Sequence, residues 1–348
     1  MRIAFFVNSI ESESPAYTTA ALALAAQSRG HAVVYVTPGD FVLRPDDSLA
    51  IGCVELPVGS YKNTEKLDAA LKAASGRRKT YDARDIDVLF LRSDPSLDVV
   101  DRPWAAYAGV LFGRLAVERG VLVVNDPDGL AAAQNKLYLQ SFPEQVRPST
   151  LISRDLGEIR AFLKGQAKGA IIKPLHGSGG KNVFRIAKPD DSNLSQIFEA
   201  TSADGYLITQ AYMAEAKSGD VRLFLMNGEP LEHDGKYAAF KRVPAKGDIR
   251  SNIHAAGTAR KVKVTESMLS IARTVRPRLL ETGMFLVGLD IVGDKLLEIN
   301  VFTPGGLGRL AAMYGVDFSE TVILSLEEKL RIRSSYGSTL ANARLATL

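Results

Sequence analysis

Residues 284–301, MFLVGLDIVGDKLLEINV, hold two apolar runs on either side of Gly293-Asp294. A Gly-Asp pair between such runs is a strong hairpin signal, because a two-residue turn needs backbone angles that glycine adopts without steric cost. The two strands read as 284–292 and 295–301. Side chains alternate along a strand, so Glu298 and Asn300 share one face, while Leu297 and Ile299 share the other. Folding the hairpin back sets Asp290 opposite the polar face, and Leu289 and Ile291 join the apolar one. Three oxygen donors without histidine or cysteine suit a hard cation such as Mg²⁺. A solvated polar face on an ordinary hairpin is the other reading of the same residues.

Upstream, the chain alternates strand and helix. Ile3–Val7 is an apolar run bounded by Asn8 and Ser9, as in a buried strand. Pro15 opens an Ala- and Leu-rich helix that stops near Arg29-Gly30, with proline at the entry and glycine at the exit. Strands follow at 32–36, 87–91 and 121–125, with a helix from about Pro103 to Arg119 before the last. This alternation predicts an α/β unit over residues 1–125, with a mostly parallel sheet and helices on both faces.

From about residue 126 the pattern turns to α+β. A helix carries Asn135-Lys136, and strands are expected at 149–153, 170–174, 183–186, 206–210 and 221–227. A helix is expected over roughly 265–282 and another near 318–331, followed by a loosely ordered tail from Ile332. Residues 241–258, KRVPAKGDIRSNIHAAGT, show charges, small-residue breaks and little periodicity. They read as a long loop, and long loops in compact domains are usually functional.

Composition removes several function classes. The net charge of +4 is scattered, without the Lys/Arg block of a nucleic-acid arm. No apolar stretch approaches the ~20 residues that span a bilayer. The first run turns polar at Glu11 and Glu13, so it is read as a first strand rather than a signal peptide. Cys53 stands alone, which excludes an intrachain disulfide and fits a reducing cytoplasm. The four histidines form no convincing Ser-His-Asp or Cys-His set. A dinucleotide-binding oxidoreductase fails as well, because NSIESESP follows the first strand where a glycine-rich turn is needed.

Two further groups of residues bear on chemistry. The stretch Lys173-Pro174-Leu175-His176-Gly177-Ser178-Gly179-Gly180-Lys181 has three glycines in four positions. Such a backbone can fold over phosphates and turn N–H groups toward them, and Lys173 ends the preceding strand. Its spacing is not that of a P-loop, and a flexible hairpin loop is the plainer alternative. Lys136, Arg222, Arg242 and Arg250 are spread through the second half. Arginine grips carboxylate or phosphate bidentately, although each one singly is a common surface residue.

The ordered set Asn135-Lys136, KPLHGSGG, Gln210-Ala211-Tyr212-Met213, Asp220-Val221-Arg222, Lys241-Arg242-Val243-Pro244, Arg250-Ser251-Asn252 and FLVGLDIVGDKLLEIN resembles bacterial glutathione synthetase, of the ATP-grasp superfamily. The resemblance runs from residue 1 to about 330 and takes in LRSDPSLD (91–98) and VVNDP (123–127). It implies an N-terminal parallel α/β pre-ATP-grasp, substrate-binding domain over 1–125. An ATP-grasp region over 126–330 would follow, with a lid at about 136–213, a mobile loop at 241–258 and a metal-binding hairpin at 284–301; residues 331–348 would form the tail. By the same resemblance Lys136 and Lys173 contact the nucleotide phosphates, and Gly177, Ser178, Gly179 and Gly180 cover them. Ala211, Tyr212 and Met213 form the adenine hinge, and Asp290, Glu298 and Asn300 bind Mg²⁺, for which Mn²⁺ could substitute. Arg222, Arg242 and Arg250 hold substrate carboxylate or developing phosphate charge.

The implied chemistry is ligation of a carboxylate to an amine through an acyl phosphate, with γ-glutamylcysteine and glycine as the expected pair. Catalysis then rests on positioning and charge neutralisation rather than a side-chain nucleophile. The expected partners are small molecules only, with no nucleic acid and no membrane, in a cytoplasmic homo-oligomer. One stretch departs from the family pattern. After Asn300 the family commonly reads Val-Thr-Ser-Pro-Thr, whereas this chain has Val301-Phe302-Thr303-Pro304-Gly305-Gly306-Leu307-Gly308-Arg309. His176 likewise stands where the family has an acidic residue. A ligase for another amino acid or peptide pair is therefore the alternative. A non-catalytic nucleotide-binding protein is the third, and it is disfavoured because no implied metal ligand or phosphate lysine is lost.

Overall fold

The computed structural model describes residues 1–176, 182–203, 205–244 and 258–348. Its first sheet is centred on four parallel strands, in the order Ala32–Val36, Arg2–Phe6, Val88–Leu91 and Leu122–Val124. Their side chains are almost wholly buried, as expected of parallel strands covered on both faces. Beyond Ala32–Val36 the sheet continues with antiparallel strands, Leu49–Glu55 flanked by Phe41–Leu43 and Arg78–Asp82. This edge is absent from the sequence reading. Its outermost strand, RKTYD, is mostly exposed, so no apolar run marks it.

A second, smaller sheet runs Phe184–Ile186, Ala170–Pro174, Leu207–Ala211, Thr150–Ser153, all antiparallel. It has a core of its own, in which Ala170, Ile172, Ile186 and Leu207 meet Ile159 and Leu163 of helix Leu156–Lys164 and Leu194 of helix Leu194–Ser202. The alternate residues Ile171 and Lys173 therefore point away from those helices.

The third sheet runs Thr258–Arg260, Ala239–Val243, Asp220–Met226, Leu286–Val292, Lys295–Asn300, again antiparallel. The expected loop over 241–258 is thus strand at both ends, with Lys241 opposite Arg260 and Val243 opposite Thr258; residues 245–257 lie outside the described residues. Phe90 of the first sheet meets Phe285 at a ring-centroid distance of 5.8 Å, so the first and third sheets share their core. Asn125 joins them by hydrogen bonds as well. Its Nδ2 donates to the Leu286 carbonyl at 3.1 Å and the Val301 carbonyl at 2.5 Å, and its Oδ1 accepts from Leu286 N–H at 2.9 Å.

The helix expected to carry Asn135-Lys136 is two pieces. An α-helix covers Pro127–Ala132, and a 3₁₀ helix covers Lys136–Ser141 with the Asn135 side chain as its N-cap. The tail expected to be loose is ordered. Helix Phe318–Tyr336 is followed by helix Asn342–Thr347, whose Leu345 and Ala346 are buried. The Asn342 side chain accepts from the Val123 N–H and donates to the Val123 carbonyl, so a side-chain amide holds what a polar sequence seemed to leave free. Among the described residues no helix is long and apolar enough to cross a membrane.

The tail covers Lys329, which is 0% exposed. Its Nζ donates to Asn227 Oδ1 at 2.8 Å and to the Leu348 carbonyl at 2.5 Å, and lies 5.0 Å from the Phe285 ring centroid. Burial pushes this amine down from 10.5 to about 7. Between those values the unfolded chain binds a proton that the folded chain has released, so the lysine's contribution to stability rises with pH across that window. The melting temperature of wild type minus that of Lys329→Met is expected to rise from pH 7 to pH 10. A difference that stays flat would show that the buried amine does not titrate there.

Candidate active site

The hairpin places its polar residues as strand register dictates. Asp290 stands opposite Glu298 and Gly288 opposite Asn300, with a bulge after Asp290, so the three expected oxygen donors share one face. On the next strand Arg222 stands opposite Asp290, and one strand further Arg242 stands opposite Asp220. Facing residues on paired strands share a face, so this row of charges crosses four strands.

The row is closely bonded. Arg222 Nε donates to Asp290 Oδ1 at 2.8 Å and its Nη2 to Oδ2 at 2.7 Å. Arg242 Nη2 lies 2.7 Å from Asp290 Oδ2, and Arg242 also grips Asp220 through Nε and Nη2. Asn300 Nδ2 donates to Asp290 Oδ2 at 3.1 Å, a bond that leaves its amide oxygen unused. Burial raises the Asp290 carboxyl, but Arg222 and then Arg242 outweigh it and hold the group at about 2. Burial disfavours the Arg242 cation, and Asp290 and Asp220 together reverse that and push it up.

Beside this row, a cleft of about 170 Å³ lies where the three sheets meet. Lys173 and Ile208, opposite each other on the second sheet, line one wall with Gln210, and Glu298 and Asn300 line another. Asp94, from the loop after Val88–Leu91, closes the end, and Phe302 and Thr303 border it. Lys173 Nζ donates to Gln210 Oε1 at 3.3 Å, and Lys136 Nζ to the Pro174 carbonyl at 3.4 Å. Burial lowers both amines, while Glu298 pulls both back up. Lys136 adds to the lowering of Lys173, so the two cations are neighbours facing one carboxylate. Among the described residues no histidine or cysteine lines the cleft.

The donor set can be tested for a metal. Among the described residues no three His, Cys, Asp or Glu side chains gather as a cage. A cation here would use the Glu298 carboxylate and the Asn300 amide oxygen, with Asp290 adjacent but engaged by two guanidiniums. All-oxygen donors with few protein ligands fit Mg²⁺, which keeps waters and phosphate oxygens in its shell.

Some expected site residues are not brought into this cleft. Arg222 and Arg242 lie within the charge row, bonded to carboxylates. Tyr212 is buried at the end of the second sheet, its ring 3.9 Å from the Arg185 guanidinium, and its N–H and that of Ala211 are spent on the Gly169 and Ser149 carbonyls. Met213 caps the short helix Ala214–Ser218. Gly177, Ser178, Gly179, Gly180 and Arg250 lie outside the described residues. Asp94, Gln210 and Asp220 were missed as individual roles, although each falls within a quoted motif.

Residues 1–131 match the model of the prokaryotic glutathione synthetase N-terminal domain, and residues 135–315 match that of the prokaryotic glutathione synthetase ATP-grasp domain. The chain belongs to this family. It is 36% identical over 313 residues to a glutathione synthetase of Shewanella oneidensis, covering 89% of this chain and 92% of that one. It is also 36% identical over 315 residues to one of Bradyrhizobium diazoefficiens, covering 90% and 93%. In fold it is similar to the D-cycloserine synthetase DcsG (TM-score 0.65, 16% identity, 94% of this chain and 99% of that one). It is likewise similar to D-alanyl-alanine synthetase A of Vibrio cholerae (TM-score 0.55, 13% identity, 95% and 98%). Family membership makes this chain an ATP-dependent carboxylate–amine ligase, glutathione synthetase-like and ADP-forming.

Removing the central carboxylate should be costly. Asp290→Asn removes the carboxylate that both buried guanidiniums grip, leaving Asp220 to Arg242, and is expected to lower stability by about 3–5 kcal/mol, read by urea denaturation at pH 7. Because the folded carboxyl sits at about 2 against an ordinary 3.8, wild type keeps this contribution above 3.8 and loses it as pH falls through 2. The variant's deficit should shrink over that acid window. A deficit under about 1 kcal/mol at pH 7 would show that the arginines are satisfied elsewhere.

Proposed function

We propose that the chain joins γ-glutamylcysteine to glycine, with ATP converting the donor carboxylate to an acyl phosphate that the amine then attacks. The observation that carries this reading beyond the family is the segregation of charge in the cleft. Lys136 and Lys173 form a cationic wall suited to nucleotide phosphates. Glu298 and Asn300 form an oxygen-donor wall suited to Mg²⁺, with Asp290 beside them. When bound, the metal would neutralise charge on the phosphate oxygens.

The chain's own groups account for the rest. The lysines bind and orient the nucleotide, and burial strengthens their attraction for anions by excluding water. Arg222 and Arg242 stand one strand and two strands from Asp290, ready to exchange part of their carboxylate bonding for the charge that develops on the transferred phosphoryl group. Residues 1–125 would hold the donor, 136–213 would form the lid, and the segment between strands Ala239–Val243 and Thr258–Arg260 would close over the acyl phosphate. Water is a competitor for that intermediate, so closure has a chemical purpose.

Phe302 favours a second reading, a ligase for a different amino acid or peptide pair. It lines the cleft two residues after Asn300, offering apolar area to the end that receives the donor.

Two experiments follow. Glu298→Gln and Asn300→Ala should abolish phosphate release with the fold retained, and Lys136→Ala and Lys173→Ala should each weaken ATP binding by about 1.5–3 kcal/mol. Near wild-type turnover in either hairpin variant at saturating Mg²⁺, or unchanged nucleotide affinity by calorimetry in both lysine variants, would remove those residues from the site. Separately, phosphate release with ATP and Mg²⁺ is measured across a panel of donors and amines. Phe302→Thr should shift the kcat/KM ratio between γ-glutamylcysteine and other donors by about tenfold, the scale of one pocket contact. An unchanged ratio would place Phe302 outside donor selection.

A further inference from the structure

Helix Pro103–Glu118, PWAAYAGVLFGRLAVE, lies against the first sheet with its small residues inward. Ala105, Ala108, Gly109, Gly113 and Ala116 are buried. Glycine is what permits so close an approach. A Cβ on Gly109 would come within 2.7 Å of the Phe6 ring, and one on Gly113 would stand 3.3 Å from Leu91 and Pro127. The large apolar residues face the other way. Trp104, Tyr107 and Leu111 are 59%, 52% and 53% exposed, and spacings of three and four set them in one stripe along the helix. A surface helix ordinarily buries its large apolar stripe and turns small or polar residues to water. Here the arrangement is reversed, so packing within one chain does not explain the stripe.

The apolar surface extends past the stripe. Val100, just before the helix, is exposed. Beside the helix, Phe41 of strand Phe41–Leu43 stacks on Phe112 at a ring-centroid distance of 4.7 Å. Leu43, on Phe41's side of that strand, is exposed as well. Together these side chains offer on the order of 500 Å², near the upper limit of what a monomer leaves in one patch and more than half of the ~800 Å² that each partner contributes to a stable interface. Aromatic residues at the centre of such a surface and charges at its rim are what an interface between proteins has. The rim here carries the exposed acids Asp101, Glu118 and Asp128, which an anionic membrane surface would repel.

We propose that this face of helix Pro103–Glu118 is a twofold interface with a second copy of this chain, the two helices packing antiparallel about an axis that passes between Tyr107 and Ala108. The sequence of the helix is self-complementary about that point, as a twofold interface requires. Trp104 and Leu111 are equally distant from the axis, so each large side chain of one copy meets one of the other. Asp101 and Arg114 are equally distant too, so each end of the helix pair joins a carboxylate to a guanidinium. Arg114 holds Asp128 at 2.6 Å through Nε alone, an exposed pair of small worth, and its two Nη groups remain for the second copy's Asp101. This surface is separate from the cleft, and the inference does not depend on the ligase reading.

The test is the oligomeric state of the full chain, read by analytical ultracentrifugation at micromolar concentration. Wild type should sediment as a dimer or a multiple of one. Leu111→Arg, at an exposed position, should halve that mass at the same concentration, with the dissociation constant raised about thirtyfold or more and the far-ultraviolet circular dichroism unchanged. Asp101→Arg and Arg114→Asp should each weaken association, and the two together should restore it to within about threefold of wild type. Tyr107→Cys, beside the axis, should oxidise to a covalent dimer, whereas Glu118→Cys, far from it, should not; Cys53 is buried and does not compete. A wild type that sediments as a monomer overturns the proposal, and if that monomer floats with phosphatidylglycerol vesicles the face is a lipid surface instead. A Leu111→Arg variant that keeps the wild-type mass overturns it as well, by placing any interface elsewhere. A double charge reversal no tighter than the single ones overturns the antiparallel pairing.

Discussion

One buried carboxylate organises the catalytic half of the molecule. Asp290 accepts hydrogen bonds from two arginines and an asparagine, and it is the reason that Arg222 and Arg242 can be buried at all. Two guanidiniums in a protein interior need counter-charge, and Asp220 and Asp290 together supply it. The interaction also fixes strand register. A slip by one residue would turn Asp290 toward the apolar core and bring Leu289 or Ile291 to face the arginines, so charge pairing and hydrophobic alternation enforce the same alignment. Glu298 and Asn300 inherit their positions from that alignment.

The cleft gains its character from where three sheets end rather than from any one of them. Lysines arrive on and beside the second sheet, the carboxylate and amide on the third, and Asp94 on a loop of the first. Each wall keeps one sign of charge, so on the proposed reading a ligand carrying both anionic phosphate and a cation would find each matched on its own side. Burial lowers both lysines and Glu298 pulls them back up, so each wall acts on the other across the cleft.

Much of this was legible in the sequence because it is local. Gly293-Asp294 with its flanking alternation defines the hairpin, and i, i+2 spacing puts Glu298 beside Asn300. The grip on Asp290 was not legible, because it depends on Asp220–Met226 lying between Ala239–Val243 and Leu286–Val292, an order no local pattern encodes. The stretch after Asn300 departs from the family pattern through its glycines, and the sequence does not say what they do. The structure uses Gly306 to turn beside Phe240 and Gly308 to let Ala21 approach, and Arg309 is exposed on helix Leu307–Tyr314. The tail was misjudged because RSSYGST looks like a chain end, while its anchoring residues, Asn342 and Leu345, act only through distant partners.

Asn125 carries a mechanical consequence. By bonding both mouths of the hairpin from the end of the first sheet, it makes the first and third sheets one block across a shared aromatic core. The second sheet has a separate core of its own. On the ligase reading proposed above, the cleft would open by a swing of that small sheet against the block, with Lys173 travelling and Glu298 standing still. The gap between ammonium and carboxylate would then serve as the gauge of that stroke, widest as nucleotide enters and narrowest with phosphate and cation between them.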